Sequence, residues 1–145
     1  MLSQKARYAL RAMLHLAGHS TTESVQIADI AEGANVPRKF LEQILVELKR
    51  RGLVHSVRGR HGGYLLGREP KAISFAEIIR IIDGPLALSP CASRTAYRRC
   101  EDCVDETTCA IRKSLVDVRN STARILEQHS LADALADRRK IKPGA

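Results

Sequence analysis

The chain has 145 residues, of which 44% are hydrophobic and 3% aromatic, and it carries a formal net charge of +8 at pH 7. This length fits one domain with an appendage, and a core of aliphatic side chains without tryptophan favours a helical fold. No apolar run approaches the ~20 residues of a membrane-spanning helix and the first residues lack the apolar core of a signal peptide, so we expect a cytoplasmic protein with no membrane partner. The basic balance indicates a polyanionic partner.

Three amphipathic helices are predicted in the first 52 residues. Apolar residues recur at steps of three and four over residues 3–17, which predicts the first helix. A shorter second helix starts near Ile27 and is closed by Asn35, a residue that suits a tight helix end. Pro37 suits the first turn of a third helix, which Gly52 ends. The predicted apolar face of this third helix comprises Phe40, Leu41, Ile44, Leu45 and Leu48.

A glycine-tipped β-hairpin and a fourth helix are predicted to follow. The β-branched stretch 53–58 is separated from Tyr64–Leu66 by three glycines, a pattern typical of a hairpin. Ser74 and Glu77 have the spacing of a capping box, which predicts the start of the fourth helix. Two short helices followed by a hairpin form a winged helix-turn-helix, so residues 1–85 are predicted to be a DNA-binding domain of this type.

The positive charge is concentrated between Arg38 and Arg60, a segment that contains seven lysine or arginine residues and only two acidic residues. An isolated basic run is usually a solvated helix face, but this one coincides with the helix-turn-helix pattern and with a basic hairpin tip. We expect the third helix to enter the major groove of double-stranded DNA, where basic side chains neutralise phosphates and Glu or Gln discriminates base edges. The predicted DNA-binding residues are Arg38, Lys39, Glu42, Gln43, Arg58, Gly59 and Arg60.

The last third of the chain is predicted to contain a loop and a long helix. Residues 86–109 lack sustained periodicity, so we expect a loop that a bound ligand orders. Residues 110–137 are interpreted as a dimerisation helix with a C-terminal segment. Apolar residues alternate there at steps of four and three, a heptad-like seam that predicts a homodimer but is also compatible with packing on the chain's own core. The seam comprises Ile111, Leu115, Val118, Thr122 and Ile125.

The predicted fold class is therefore mainly α with a small β-hairpin, a winged helix-turn-helix plus a long dimerisation helix.

Four cysteines lie within nineteen residues of a chain that has no other cysteine. Such a group in a reducing cytosol is unsuited to structural disulfides and favours soft-metal or redox chemistry. Thiolates at this spacing predict an iron–sulfur cluster, with either two or four irons. A closed structural zinc site and metal-free thiols that act as a redox switch stay open as alternatives. The candidate metal ligands are Cys91, Cys100, Cys103 and Cys109.

Several motifs taken together resemble the iron–sulfur winged-helix transcriptional regulators of the IscR/NsrR/RirA family. They are the segments 5–10 (KARYAL), 27–31 (IADIA), 40–45 (FLEQIL), 52–59 (GLVHSVRG) and 62–67 (GGYLLG). The resemblance implies a dimer with crossed long helices, DNA recognition by the third helix and the hairpin, and a cluster in the cysteine loop. By position it implies base contacts by Glu42, Gln43 and Arg58, and cluster ligation by Cys91, Cys103 and Cys109.

Two positions depart from this family. Its members complete the cluster with a histidine shortly after the last cysteine or with an acidic residue in the first helix, where this chain has Arg112 and Tyr8. The additional Cys100 is then a candidate fourth ligand, which would give an all-thiolate site within one protomer. Because Cys100 and Cys103 are close in sequence, a bystander role for one of them also stays open.

The sequence predicts a dimeric, sequence-specific DNA-binding repressor whose DNA affinity is controlled by an iron–sulfur cluster that senses iron, redox or nitric oxide status. It indicates no enzyme, since no phosphate-binding glycine loop, nucleophile–base pair or carboxylate dyad is found. The alternatives are a winged-helix protein with structural zinc, an iron–sulfur carrier, and a metal-free regulator controlled through its thiols or by a partner enzyme.

Overall fold

A helical winged helix-turn-helix followed by a long helix makes up the fold of the residues that the computed structural model describes, 2–141. The predicted fold class is confirmed. Within these residues no helix combines the length and apolar content needed to cross a membrane. The elements in chain order are α1 (Gln4–Ala17), α2 (Ile27–Ala34), α3 (Arg38–Arg50), β1 (Val54–Val57), β2 (Gly63–Leu66), a 3-10 turn (Pro70–Ala72), α4 (Phe75–Asp83), a second 3-10 turn (Pro90–Ala92), α5 (Ala110–Gln128) and α6 (Leu131–Lys140).

Helix α1 lies at the centre of the domain, packed against α2, α3, α4 and α6. Its inward face carries Ala6, Ala9, Ala12 and Met13, all fully buried. The small alanine side chains let neighbouring helices approach closely, because the distance between helix axes depends on the side chains at the contact. The largest aliphatic residues of the surrounding core are Ile30, Leu41, Ile44, Leu45, Leu48, Leu53, Ile73, Ile78 and Leu131.

The turn between α2 and α3 is set by Asn35, which adopts the left-handed backbone conformation with φ 53° and ψ 54°. Asparagine visits this region more readily than most residues. The N–H of Asn35 donates to the carbonyl of Glu32 and that of Val36 to the carbonyl of Ala31, which closes α2. Pro37 then occupies the N-cap of α3. The predicted helix, short turn and helix are therefore confirmed.

The hairpin is tied to the segment that leads into α2. Strands β1 and β2 are antiparallel, with Val54 opposite Leu66. The backbone N–H and carbonyl of Val25 pair with those of Tyr64 through two hydrogen bonds, each 2.8 Å long. Gly63 permits this approach, since a Cβ at that position would lie 2.2 Å from the carbonyl oxygen of Val25. Main-chain hydrogen bonds thus hold the predicted hairpin against the helices.

Phe40 is not buried as its place in the apolar stripe predicts. Its side chain is 50% exposed, and its ring packs beside that of Tyr8 in α1 with the centroids 5.9 Å apart. The residue belongs to the first turn of α3, where the stripe runs beyond the edge of the core. The buried residues of this helix are Leu41, Ile44, Leu45 and Leu48.

Helix α6 folds back on the domain instead of continuing α5. A capping box starts it: the hydroxyl of Ser130 accepts from the N–H of Asp133, and the Asp133 carboxylate accepts from the N–H of Ser130. The second hydrogen bond favours the charged carboxylate and so holds the pKa of Asp133 below its ordinary value. Leu131 is fully buried and its N–H donates to the carbonyl of Ile73. Sequence periodicity predicts only a C-terminal segment here, although the spacing of Ser130 and Asp133 is a capping signal.

Replacing Ser130 with alanine tests whether this cap fixes α6. The variant Ser130→Ala is expected to lower the free energy of unfolding by about 1 kcal/mol, because the first turn of α6 loses its side-chain acceptor. Urea titration followed by circular dichroism measures the change. Ser121→Ala, at an exposed position in α5, is the matched control and should shift stability by less than about 0.5 kcal/mol. Equal losses in both variants would contradict the assigned role of the cap.

Candidate DNA-binding surface and cysteine cavity

Helix α3 exposes a polar face on the side opposite its buried leucines and isoleucine. The guanidinium of Arg38 pairs with Glu42 one turn later, with 3.5 Å between Nε and Oε1. Both side chains are exposed, so this pair contributes little to stability and stays available to a ligand. Four of the predicted DNA-binding residues lie on this exposed face: Arg38, Lys39, Glu42 and Gln43.

The tip of the hairpin exposes the other three predicted DNA-binding residues, Arg58, Gly59 and Arg60. Gly59 has a φ of 113°, a conformation that favours glycine. The hydroxyl of Ser24 donates to the carbonyl of His61 at 3.0 Å, so the tip is held from the segment before α2. The structure therefore fixes the position of this basic tip relative to the helix-turn-helix.

All four cysteines line a single cavity of about 500 Å³ between the segment after α4 and the start of α5. Cys91 is buried, with 6% of its surface exposed, and the other three are half-buried. Ser89, Asp102 and Arg112 are among the polar residues of the lining. Four residues that are spread over nineteen positions of the sequence thus meet at one place in the fold.

Ser89 brings two of the sulfur atoms into one polar environment. Its Oγ lies 3.3 Å from the Sγ of Cys91 and 3.9 Å from the Sγ of Cys100. The Ser89 hydroxyl lowers the pKa of Cys91, because a hydrogen bond to the sulfur favours the thiolate. The neighbouring thiol of Cys91 raises the pKa of Cys100. Cys91 is therefore the more readily ionised thiol of this pair.

The start of α5 holds Cys109, the last of the four cysteines, and binds the main chain at Cys91, the first. Cys109 is the N-cap of α5, and its Sγ accepts from the N–H of Arg112 at 3.4 Å. The Nε of Arg112 donates to the carbonyl of Cys91 at 3.1 Å, and Arg119 donates to the carbonyl of Ala92 at 2.5 Å. Arg112 and Arg119 are seven residues apart and so share one face of the helix. That spacing was the sequence signal for these two residues, which the cysteine pattern did not reveal.

Cys103 lies in a tight turn that starts at Cys100. Its N–H donates to the carbonyl of Cys100 at 3.2 Å. The guanidinium of Arg99 donates to the carbonyl of Cys103 at 3.0 Å and lies 3.8 Å from the carboxylate of Glu106. The protein's own arginines therefore fix the path of the cysteine segment, a contribution that its lack of periodicity does not predict.

Four thiols form a donor set that both an iron–sulfur cluster and a structural zinc ion accept. Over residues 2–141, no three His, Cys, Asp or Glu side chains converge closely enough to bind one ion. Four thiols around one cavity are the usual ligands of two-iron and four-iron clusters, in which bridging sulfides spread the ligands over more than one metal atom. The residues present are thus chemically suited to an iron–sulfur cluster.

The two positions that depart from the expected ligand pattern offer no substitute ligand. Arg112 lines the cavity, but a guanidinium has hydrogen-bond donors and no acceptor lone pair. Tyr8 packs against Phe40 and lies beneath the guanidinium of Arg11, and it does not belong to the lining of the cavity. Within the described part of one chain, the sulfur donors therefore come from the four cysteines alone.

Helix α5 leaves an apolar stripe uncovered. Ile111, Val118 and Ile125 recur every seven residues and are 72%, 45% and 62% exposed. Leu115 and Thr122, between them, are half-buried, and Leu115 also lines the cysteine cavity. The five residues of the predicted seam thus share a face on which the chain's own core covers only part of the apolar surface.

Comparison with known proteins relates the whole arrangement to bacterial regulators. The family model Rrf2, described as an iron-dependent transcriptional regulator, matches residues 2–137. A protein of Rhodobacter capsulatus, described as an rrf2-like HTH-type transcriptional regulator, is 45% identical over 94% of this chain and 93% of its own length. Two solved structures are similar over most of both chains. IscR of T. potens covers 99% of this chain and 93% of its own, with 31% identity and a TM-score of 0.73. CymR, the global cysteine regulator of B. subtilis, covers 94% and 96%, with 32% identity and a TM-score of 0.77.

Proposed function

Since the chain belongs to the Rrf2 family of transcriptional regulators, we propose that it is a homodimeric, sequence-specific DNA-binding repressor of the cytoplasm whose DNA affinity is controlled by an iron–sulfur cluster. The observation that carries this proposal is the meeting of four thiols in one cavity at the base of α5. Elsewhere the chain presents an exposed polar face on α3, a basic hairpin tip and an apolar stripe on α5 that its own core covers only in part.

The DNA-binding part of the proposal rests on the exposed face of α3 and on the hairpin tip. Glu42 and Gln43 offer acceptors and a donor to base edges, and so discriminate between sequences. Arg38 and Lys39 neutralise phosphates and set affinity and register. Arg58 and Arg60 at the tip extend the contact to the backbone or to the neighbouring minor groove, with Gly59 allowing the turn between them.

The homodimer is supported by the stripe on α5. Three large apolar side chains spaced by one heptad are costly to leave in water, and a second copy offers the same stripe in return. A twofold dimer places two recognition helices at paired half-sites of an operator. The residues of the interface are Ile111, Leu115, Val118, Thr122 and Ile125.

The cluster would be held by Cys91, Cys103 and Cys109, with Cys100 as the fourth ligand. An iron–sulfur cluster supplies one-electron redox chemistry. Its assembly depends on the supply of iron, and it reacts with oxidants and with nitric oxide. The chain's own residues position its ligands: Arg112 and Arg119 fasten the segment of Cys91 to α5, while Arg99 braces the turn of Cys103. Gly84 links this segment directly to the end of α4, so a change in its path is expected to shift the winged helix relative to α5.

A metal-free thiol regulator is the second candidate function. CymR of B. subtilis is described as the global cysteine regulator, and CymR of Staphylococcus aureus, 28% identical to this chain with a TM-score of 0.69, has been solved in an oxidized form. The contact between Cys91 and Cys100 through Ser89 favours this candidate, because it brings two thiols together without a metal. Metal content separates the two functions.

Substitutions on α3 separate base reading from phosphate binding. Glu42→Ala and Gln43→Ala are each expected to weaken binding to the preferred operator by about 1–3 kcal/mol. Their affinity for DNA of unrelated sequence should stay the same. Lys39→Ala should weaken both similarly and reduce the salt dependence of log K by about one unit. The measurement is fluorescence anisotropy on a duplex selected from a random pool. Lys71→Ala, at an exposed lysine outside α3 and the hairpin, is the control. Unchanged operator affinity in the first two variants would exclude α3 as the reading helix.

The stripe on α5 makes a prediction about oligomeric state. Sedimentation at micromolar concentration should give twice the chain mass of 16.0 kDa. Ile125→Glu is expected to shift the population to monomer, because a carboxylate buried in an apolar interface is unpaired. Arg124→Glu introduces the same side chain at an exposed neighbouring position that lies off the stripe, and should stay dimeric. A monomeric parent protein, or a dimeric Ile125→Glu variant, would refute this interface.

Metal analysis of protein purified without oxygen tests the cluster. The parent is expected to be coloured and to contain iron and acid-labile sulfide, and Cys91→Ser, Cys103→Ser and Cys109→Ser should each lose most of both. Cys109→Ser is the most informative variant. It removes the thiol but keeps a hydroxyl that still caps α5, so loss of the cluster is separated from loss of the helix cap. Cluster-loaded and cluster-free protein should then differ in operator affinity by about tenfold or more. A colourless protein with stoichiometric zinc, or with no metal after reconstitution, would reject the cluster.

The fourth ligand is tested by exchanging it. Cys100→Ser should lower the iron content or change the visible spectrum, and adding Arg112→His should restore a cluster with a shifted spectrum, since imidazole is a ligand where guanidinium is not. If Cys100→Ser alone leaves iron content and spectrum unchanged, Cys100 is a bystander.

A further inference from the structure

Two of the four thiols share one hydrogen-bond partner in the fold. The sulfur atoms of Cys91 and Cys100 lie 3.3 and 3.9 Å from the hydroxyl oxygen of Ser89, within hydrogen-bond distance for sulfur. They are nine residues apart in the chain, so their proximity comes from the folded path of the segment between them. This path is anchored where Arg112 and Arg119 bind the carbonyls of Cys91 and Ala92.

The other two cysteines, Cys103 and Cys109, lie in different local environments. The sulfur of Cys109 caps α5, and its departure would uncap the first turn of that helix. Cys103 lies in the turn braced by Arg99, and within the described chain no hydrogen bond joins its sulfur to another thiol. The fold therefore distinguishes one pair of cysteines from the two that remain.

We propose that Cys91 and Cys100 form an intramolecular disulfide when the cluster-free chain meets a peroxide. The inference deepens the proposed function, since on that function cluster loss is what frees the thiols. One of the two sulfurs, as thiolate, attacks the O–O bond of hydrogen peroxide, forming a sulfenic acid and releasing hydroxide. The second sulfur displaces the sulfenic oxygen, which leaves as water while the S–S bond forms. Two thiols lose two electrons in total, and one peroxide is reduced to two waters.

The disulfide consumes two of the four ligands. A chain in this state is unable to take up a cluster until a dithiol reductant opens the bond, so the oxidised form is a separate regulatory state from the simple cluster-free form. The bond also closes the short loop between Cys91 and Cys100 against α5, through the carbonyl of Cys91 that Arg112 binds.

Peptide mapping of the full chain tests the pairing. The protein is freed of metal with a chelator, reduced, desalted without oxygen, treated with equimolar hydrogen peroxide, alkylated and digested. Trypsin cuts after Arg94 and Arg99, and an Asp-specific protease cuts before Asp102 and Asp105, so the two enzymes place each cysteine in its own peptide. We expect one crosslink, between the Cys91 peptide and the Cys100–Glu101 dipeptide, with Cys103 and Cys109 alkylated.

Two matched variants complete the test. Cys103→Ser should keep the crosslink, while Cys100→Ser should lose it, and circular dichroism confirms that both stay folded. The oxidised parent should take up about tenfold less iron on reconstitution than the reduced parent, with recovery after dithiothreitol, because two ligands are blocked. A crosslink between Cys100 and Cys103, a crosslink between chains, or four alkylated thiols would overturn the inference. A zinc-binding parent that still forms the Cys91–Cys100 bond would refute the proposed cluster and leave the disulfide standing.

Discussion

The alanine face of α1 determines how closely the whole domain packs. Ala6, Ala9 and Ala12 have no exposed surface, and the helices α2, α3, α4 and α6 all lie against the same element. A larger side chain at these positions would force neighbouring helices outward, and overpacking of this kind costs about 1–3 kcal/mol. The recognition helix and the start of the cysteine segment thus take their positions from one tightly packed helix.

The first turn of α1 also connects the two functional regions. The N–H of Ser3 donates to Oδ2 of Asp83 at 2.9 Å, at the last residue of α4, directly before the segment that carries the cysteines. Lys5 pairs with Glu47 of α3. A displacement at the end of α4 therefore has a short physical path to the helix that is proposed to read DNA, through packed and hydrogen-bonded groups. The salt bridge between Arg80 and Glu127 fastens α4 to α5 on the other side.

Sequence patterns located α1 to α5 and the hairpin because each carries its own signal, either an apolar period or a turn residue such as Asn35. The apolar pattern of α3 wrongly predicts that Phe40 is buried, because periodicity identifies the apolar face of a helix but not where along that face the core ends. Helix α6 was missed because it is short and rich in charge, and its position depends on Leu131 reaching a core formed by distant residues. The cysteines were visible through their spacing. The roles of Ser89, Arg112 and Arg119 were not predicted. The seven-residue spacing of the two arginines shows only that they share a face of α5 and does not reveal the carbonyls of Cys91 and Ala92 that they bind.

The anchoring of the hairpin through Val25 and Tyr64 affects how this surface can evolve. Both hydrogen bonds involve only main-chain atoms, and the side chains at the tip take no part in them. Apart from the glycines that the turn geometry requires, tip residues can therefore be exchanged without loosening the hairpin. The side chains of the tip, which is proposed to contact DNA, can therefore change in a lineage while the main-chain anchor beneath them stays the same.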